Sequence, residues 1–540
     1  SPWGYLSNSV AYSAGAKYGG AETQTNVKDL TFNSITNLTA NQSFGDHNFN
    51  LGVYLDYLKA HYLYKAYTQN GLDPLTWALG AGTGYIPFNP DTPNLYRPTV
   101  GASKINAGTL AYFATLDYDY AGRYGLGAVV RRDGSYRFPK ENRWETFWSV
   151  AGRWNIDKES FMEDSNFRML KLRASYGTQG NQNLGVAVNN FNPLFLNPAV
   201  YVDSDALVVG YQSLPGYAFS NLGNPDLRWE KVEQGNIGLD LNYRNLIEAS
   251  IDVYQKTTSR MFNDINFSAI TGLYSITGNN GKMQNKGIEG SLKVNALNNE
   301  NIKLSVFGNA AYNKNKILEL ADQNLTDDNV LAVGGVAYQW HLVRYVGVNP
   351  ETGEQQFLDA NGNITEEPTA NDRILTGKSI YPKVTGGFGL NADYRGFFAS
   401  AAFSFQAGAW SYDNLYAWMM DPNYAASGLN VSADLLNSWT PNNHTNIPNM
   451  DAYNLGTEGS SDRFLYKTDF IKLKNVSVGY SFTKNQLEGL PISGLKLFAQ
   501  AENLYTWTKW KGFDPEPRAL YSLGVYPNPK TVSVGFNVEF

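Results

Sequence analysis

Apolar and polar residues alternate strictly along TVSVGFNVEF, the stretch Thr531 to Phe540. Val532, Val534, Phe536, Val538 and Phe540 form one set, and Thr531, Ser533, Gly535, Asn537 and Glu539 form the other. A period of two places each set on its own face of a β-strand. The pattern recurs. In Val384–Tyr394 the apolar set is Val384, Phe388, Leu390, Ala392 and Tyr394, with Gly386 in phase. After Arg395-Gly396, FFASAAFSFQA places Phe397, Ala399, Ala401, Phe403 and Phe405 on one face. Ile237 to Tyr243 and Ile247 to Val253 alternate on either side of Arg244-Asn245, and Leu495 to Ala501 does the same. One strand slips phase: Ile471 and Leu473 are odd, but Val476, Val478, Tyr480 and Phe482 are even. A bulge near Lys474-Asn475 accounts for the slip.

Alternation alone does not separate a sandwich from a barrel, but the lengths of the connections do. Short connections are expected near 45–47, 121–123, 156–166, 244–246, 297–301, 395–396 and 484–493. Long ones are expected near 14–27, 67–103, 179–226, 258–283, 314–381, 409–468 and 509–529. They alternate short and long, with one exception at 137–143, which should be long by turn order and is not. Outer-membrane barrels have short periplasmic turns and longer extracellular loops, whereas a Greek-key sandwich has no reason to keep that order. The same order settles WHLVRYVGV, Trp340 to Val348: spanning there would put every later turn on the wrong side, so it belongs inside the extracellular excursion 314–381. The prediction is all-β, a transmembrane antiparallel β-barrel with about sixteen spanning strands and long extracellular loops, its last strand running down to the periplasmic rim at Phe540.

Composition agrees. Aromatic residues make up 14% of the 540 residues, with Tyr at 36 and Gly at 51, while charged residues are only 17%. Such usage suits pleated surfaces and tight turns. No run of roughly 18–20 apolar residues is present, so no helical span is predicted, which leaves a barrel open because its strands are apolar only at alternate positions. The net charge of -6 with no long basic run gives no reason to expect nucleic acid. Cysteine is absent. SPWGYLSNSV at the start has neither a basic head nor an apolar core, so the chain is expected to be mature or a fragment.

No catalytic constellation stands out, and an enzyme is not expected. His47, His61, His341 and His444 lie far apart without zinc-type spacing, and no GxSxG elbow occurs. Asp359, Asn361 and Asn363 stand at positions 1, 3 and 5 of an EF-hand-like loop, but Ile364 and Ala370 occupy the positions that need Gly and Glu. They are a weak calcium candidate beside the plainer reading of a hairpin tip, and no other metal or cofactor is indicated. Trp410, Tyr412, Tyr416, Trp418 and Tyr424 crowd the start of the loop 409–468, with Trp439 further along. Aromatic faces of this kind serve sugar stacking, a protein interface, or packing within the loop and the upper aromatic girdle.

Several stretches together resemble the SusC/RagA-type TonB-dependent transporters of Bacteroidetes outer membranes. They are LKLRASYGTQGNQ (170–182), NPDLRWEKVEQGNIGLDL (224–241), NKGIEGSL (285–292), SWTPNNHTNIPNM (438–450), DFIKLKNVSVGYSF (469–482) and AENLYTWTKWKGFDPE (501–516), with RDGSYRF (132–138) and the C-terminal strand. The resemblance implies a 22-stranded barrel of which this chain is the C-terminal part, lacking the N-terminal plug, a TonB-box-like segment and the first strands. It implies a SusD-like surface lipoprotein over the mouth, a TonB complex acting through the N-terminal part of the same transporter, contact with outer-membrane lipid, and import of oligosaccharides or oligopeptides. Phe540 resembles the terminal aromatic that such barrels present for assembly. A passive 16-stranded porin and an adhesin-like surface-binding β protein are the competing readings. Unpaired strand edges in hydrocarbon cost several kcal/mol per group, so the remaining strands are expected to accompany the chain. An intact mass exceeding this polypeptide, measured on the purified protein, is the expected result, and a lone 540-residue species counts against it.

Overall fold

The structure is a computed structural model that describes residues 20–72, 99–184, 201, 204–209, 215–266, 268, 270, 275–323, 325, 327–451, 461–516 and 528–540. Its main sheet has fifteen strands, and each pairs antiparallel with its neighbours in chain order. They are β1 (Gly20–Phe44), β2 (His47–Leu72), β3 (Thr99–Tyr120), β4 (Tyr124–Ser135), β5 (Trp144–Asn155), β6 (Phe167–Asn181), β7 (Glu230–Tyr243) and β8 (Ile247–Asn266). β9 (Ser275–Asn298), β10 (Ile302–Leu320), β11 (Val384–Tyr394), β12 (Phe397–Ala407), β13 (Phe470–Ser481), β14 (Gly494–Thr508) and β15 (Thr531–Glu539) complete it. The sixteenth predicted strand, at the start of the chain, lies outside the described residues.

Register carries the apolar pattern from β4 to β15. Leu126, Gly152, Ala174, Ile237, Val253, Ile288, Tyr312 and Val384 stand side by side from β4 to β11. Leu390, Ala401, Val476, Ala501 and Val532 continue a band of the same kind to β15. A slip of one residue in any ladder would turn that strand's apolar set to the other face. Aromatic pairs bound the band. Tyr112 stacks on Trp144 at 5.8 Å and Trp148 lies 5.8 Å from Tyr176 at one edge. At the other edge Tyr120, Tyr124 and Trp154 stack in series at 6.5 Å, and Phe397 meets Tyr480 at 4.7 Å. Trp144 and Trp154 begin and nearly end β5. Ten residues at about 3.3 Å each, tilted about 40°, rise about 25 Å, the height of a membrane barrel's apolar belt.

The two ends differ as predicted. Tight turns close one end: Ala121-Gly122, Arg244-Asn245 and Arg395-Gly396 each place two consecutive residues at positive φ. Positive φ at both central residues follows the strand twist; Arg395-Gly396 is a two-residue loop, and three residues separate Tyr120 from Tyr124 and Tyr243 from Ile247. The bulge is also present. Lys474 drops out of register between Ala402 and Phe403 on one side and between Leu473 and Asn475 on the other. At the opposite end, Gln339–Val348 forms the centre of a separate five-stranded sheet within the excursion between β10 and β11. It does not span, which keeps the later turns on their sides.

Several predicted loops are shorter than expected. β1 begins at Gly20, inside the expected loop 14–27. β8 and β9 stay paired to Asn266 and Ser275, so most of the expected loop 258–283 is ladder. The physical reason is that both faces meet water above the bilayer. The alternation fades there while the backbone hydrogen bonds persist.

Val476→Arg, mid-strand on the apolar face, is expected to lower folding stability by about 2–4 kcal/mol in a bilayer, and Ser477→Arg on the opposite face by under about 1 kcal/mol. Urea titration of the vesicle-embedded protein, followed by gel mobility of unheated samples, measures both.

Candidate functional site

The face opposite the apolar band is lined with polar groups whose charges pair locally. Asp119, Gly125, Arg153, Arg173, Gly238 and Asp252 follow one another across β3 to β8. Two arginines therefore stand directly opposite each other, and each leans away toward its own carboxylates. Arg153 donates to Asp119 at 2.9 Å and to Asp117 at 3.3 Å. Arg173 forks between Asp240 at 3.0 Å and Asp252 at 2.6 Å, while Asn236 donates to the same Asp252 at 2.8 Å. Glycines make the room: a Cβ at Gly125 or Gly238 would lie 2.3 Å and 2.6 Å from the two guanidinium carbons. Bidentate pairs of this kind fix geometry as well as charge. The wall here is polar and cross-linked, each arginine bridging two carboxylates, so that four aspartates stand against two arginines.

At the extracellular rim a tighter cluster closes on the bulge. Lys472 is 3% exposed in its side chain and donates to Asp514 at 2.9 Å and to Glu516 at 2.7 Å. Lys474, displaced by the bulge, reaches the same Glu516. Gln406 is buried and donates to the carbonyls of Thr468 and Pro515. Asp469 accepts from the Gly408 amide at 2.6 Å, and the Thr508 hydroxyl donates to the Asp469 carbonyl. β12, β13, β14 and the following loop are pinned together here. Burial pushes the Asp514 and Glu516 carboxyls upward, but the lysine contacts outweigh it and hold both below the ordinary carboxylate range.

Above the rim the excursions on either side of β11 and β12 build a core of their own. Trp340, Leu342, Tyr412, Ala417, Met420, Leu435, Phe464 and Leu465 pack together. The predicted aromatic cluster divides on this core. Tyr412 is buried, edge-on to Phe464, and Trp410 and Tyr416 pack against the same residues. The Tyr416 hydroxyl donates to Asp434 at 2.6 Å, and burial with that carboxylate raises its pKa. Burial likewise pushes Tyr466 up to about 12. Trp439 is buried, its indole donates to the Pro350 carbonyl, and its ring stacks on His444. Trp418 differs: it is 48% exposed and lies 5.9 Å from the half-buried Tyr424.

Asp359, Asn361 and Asn363 form the tip of the hairpin between Gln355–Leu358 and Ile364–Thr365. Asp359 spends its carboxylate on the Asn361 and Asn363 amides, at 2.9 and 2.8 Å, and the Asn363 side chain. Among the described residues no group of three His, Cys, Asp or Glu is placed to hold a metal. His47 bonds Tyr118 and His61 bonds Asn106, while His341 and His444 lie far off in the excursions. Phe540 projects at the short-turn end, 93% exposed.

Sequence reasoning missed the rim cluster. The signal was there: Lys472 and Lys474 recur in phase on the polar face, and Asp514 and Glu516 repeat the same spacing. It also missed a second core, in which Phe138, Phe147, Leu227 and Trp229 pack over the upper ends of the strands, with the Trp229 indole donating to the Arg143 carbonyl.

A family model described as "TonB dependent receptor-like, beta-barrel" matches residues 2–504. TonB-dependent receptor P39 of Formosa agariphila is 29% identical over 82% of this chain and 47% of the relative. TonB-dependent receptor SusC of Bacteroides thetaiotaomicron is 30% identical over 80% of this chain and 44% of the relative. The solved RagAB peptide transporter superposes with a TM-score of 0.83 at 25% identity, covering 97% of this chain and 57% of that one. The chain spans about half the length of the curated relatives it matches.

Removing Lys472 leaves two carboxylates sharing one lysine. Lys472→Met is expected to cost about 3 kcal/mol, with much of it restored by pairing it with Asp514→Leu, as removal of one buried partner usually behaves. Thermal unfolding of the four proteins in a double-mutant cycle measures the coupling. Both carboxyls sit below their ordinary 3.8 and 4.5, so the stabilisation is complete above those values and is lost as pH falls through the depressed ones. The wild-type melting temperature should therefore fall more steeply below about pH 4 than that of Lys472→Met.

Proposed function

Because this chain belongs to the TonB-dependent receptor-like β-barrel family, we propose that it supplies outer-membrane barrel wall to an importer energised through TonB. The observation that carries this reading is the apolar band held in register from β4 to β15 and backed by a polar face whose arginines each bridge two carboxylates. It is the wall of a wide lumen between two aqueous compartments. In this reading the chain is the C-terminal part of a longer transporter whose N-terminal part contributes a plug and further strands. No bond is made or broken. Solute is held above the lumen, the plug is deformed from the inner side, and solute passes along the polar wall.

The solute class proposed is an oligosaccharide or oligopeptide. The similar RagAB peptide transporter supports the oligopeptide, and the oligosaccharide rests on the resemblance to SusC/RagA-type transporters. A SusD-like lipoprotein is proposed to sit on the extracellular excursions, whose independent core gives a firm base for a partner. The exposed Trp418, with Tyr424 beside it, is the proposed contact for that partner or for ligand. Tyr412, Tyr416, Trp410 and Trp439 are proposed to act indirectly, by holding that surface in shape. Calcium at Asp359, Asn361 and Asn363 stays a subsidiary proposal, because their tip already closes without an ion. Phe540, exposed at the short-turn end, is proposed as the assembly signal.

Cells carrying the full-length gene are expected to accumulate labelled oligosaccharide or oligopeptide from a mixed pool, and an uncoupler or loss of TonB should abolish it. Uptake that survives both, together with steady conductance of the purified protein in a planar bilayer, would identify a passive pore instead. A protein that stays monodisperse after detergent removal would overturn the barrel reading itself.

A further inference from the structure

The outward face carries a feature that a uniform lipid-facing wall does not need. Directly above the apolar band, Lys286 on β9 and Lys314 on β10 stand opposite each other in the ladder. Gln284 opposite Lys316 forms the next row, again on the outward face. Like charges facing across a ladder repel. Their neighbours are already matched: Lys231 pairs with Glu233 at 2.9 Å and Lys282 with Glu319 at 3.2 Å. Among the described residues no carboxylate lies within ion-pair reach of Lys286, Lys314 or Lys316.

Immediately below these lysines the wall is hollowed into an apolar groove of about 830 Å³. Its floor is small, at Ala174 and Gly235, and its sides are Tyr176 and Tyr312. Lys286 and Lys314 lie two residues above Ile288 and Tyr312 and line the upper end of the same groove. Water does not fill a groove facing hydrocarbon, so something apolar occupies it. The lysines lie toward the long-loop end, which is the outer leaflet. Their stems run along apolar surface and their ammonium groups reach the headgroup level.

We propose that this face binds a phosphorylated, acylated glycolipid of the outer leaflet, with a phosphate between Lys286 and Lys314 and one acyl chain over Ala174 and Gly235. Charge complementarity selects the headgroup, since two unmatched ammonium groups suit a phosphate anion. Depth selects the leaflet, and the groove accepts the chain. The site is independent of the transported solute and of the lumen wall.

The test uses the purified full-length transporter in detergent and titrates three probes by native mass spectrometry: diphosphoryl lipid A, the same lipid A enzymatically dephosphorylated, and phosphatidylglycerol. Lipid A is expected to bind at least about tenfold more tightly than either of the others. The double substitution Lys286→Glu with Lys314→Glu should remove that preference while leaving the dephosphorylated form unchanged, with gel mobility of unheated samples reporting folding. The wild-type comparison of the two lipid A forms stands even if the variant fails to fold. Equal affinity for those two forms overturns the proposal, as does phosphatidylglycerol binding as tightly as lipid A, or a protein subunit seated over the groove in the purified complex. A negative uptake result for the transporter does not affect this outcome, because lipid binding is read directly.

Discussion

Inside hydrocarbon no water is available to satisfy an amide or a carbonyl, so each strand must give its backbone hydrogen bonds to its neighbours. Everything else in this wall follows from that. The ladder forces each strand beside the next in chain order, since tight turns reach only adjacent strands. Pairing across so many strands also locks phase. Ile288 is outward because Val253 and Tyr312 are outward, and Arg173 faces the other way for the same reason.

Phase locking has a cost wherever the wall must change character. At the top of β13 the apolar face has to hand over from odd to even residues while Lys472 and Lys474 stay on the polar side. The bulge performs that change, and the lysines it gathers are neutralised by Asp514 and Glu516 from the next connection. On the lumen side the conflict is between like charges. Arg153 and Arg173 are placed opposite by register and separated by the room that Gly125 and Gly238 leave. In both places a residue without a side chain, or one without a partner strand, resolves what the ladder dictates.

The sequence was legible where hydrocarbon imposes the period. The outward set of β11 and β12, the slip at Lys474 and the exclusion of Trp340–Val348 from the wall all follow from alternation and turn parity. Legibility fell where water lies on both faces. Residues 20–27 and the upper parts of β8 and β9 are ladder without a pattern, because nothing there penalises a polar residue on either side. The aromatic cluster was visible as composition but not as position. Tyr412 and Trp418 are six residues apart in similar surroundings by sequence, yet one is buried against Phe464 and the other faces solvent. Only the return of the chain at Phe464–Leu465, more than forty residues later, decides between them.

That return explains why an aromatic-rich loop is a poor guide to ligand contact in such a wall. A long excursion above a membrane cannot draw its core from the wall below it, whose inner face is polar. It has to build one from its own residues, and Trp340, Tyr412 and Phe464 are spent on it. The residues left to meet a partner or a solute are the few that the excursion does not need, of which Trp418 is the clearest. The same reasoning applies to the outward face. Lipid satisfies an apolar wall without specificity, so Lys286 and Lys314, opposite each other and without a carboxylate partner among the described residues, are groups there that packing and pairing within the chain leave unexplained.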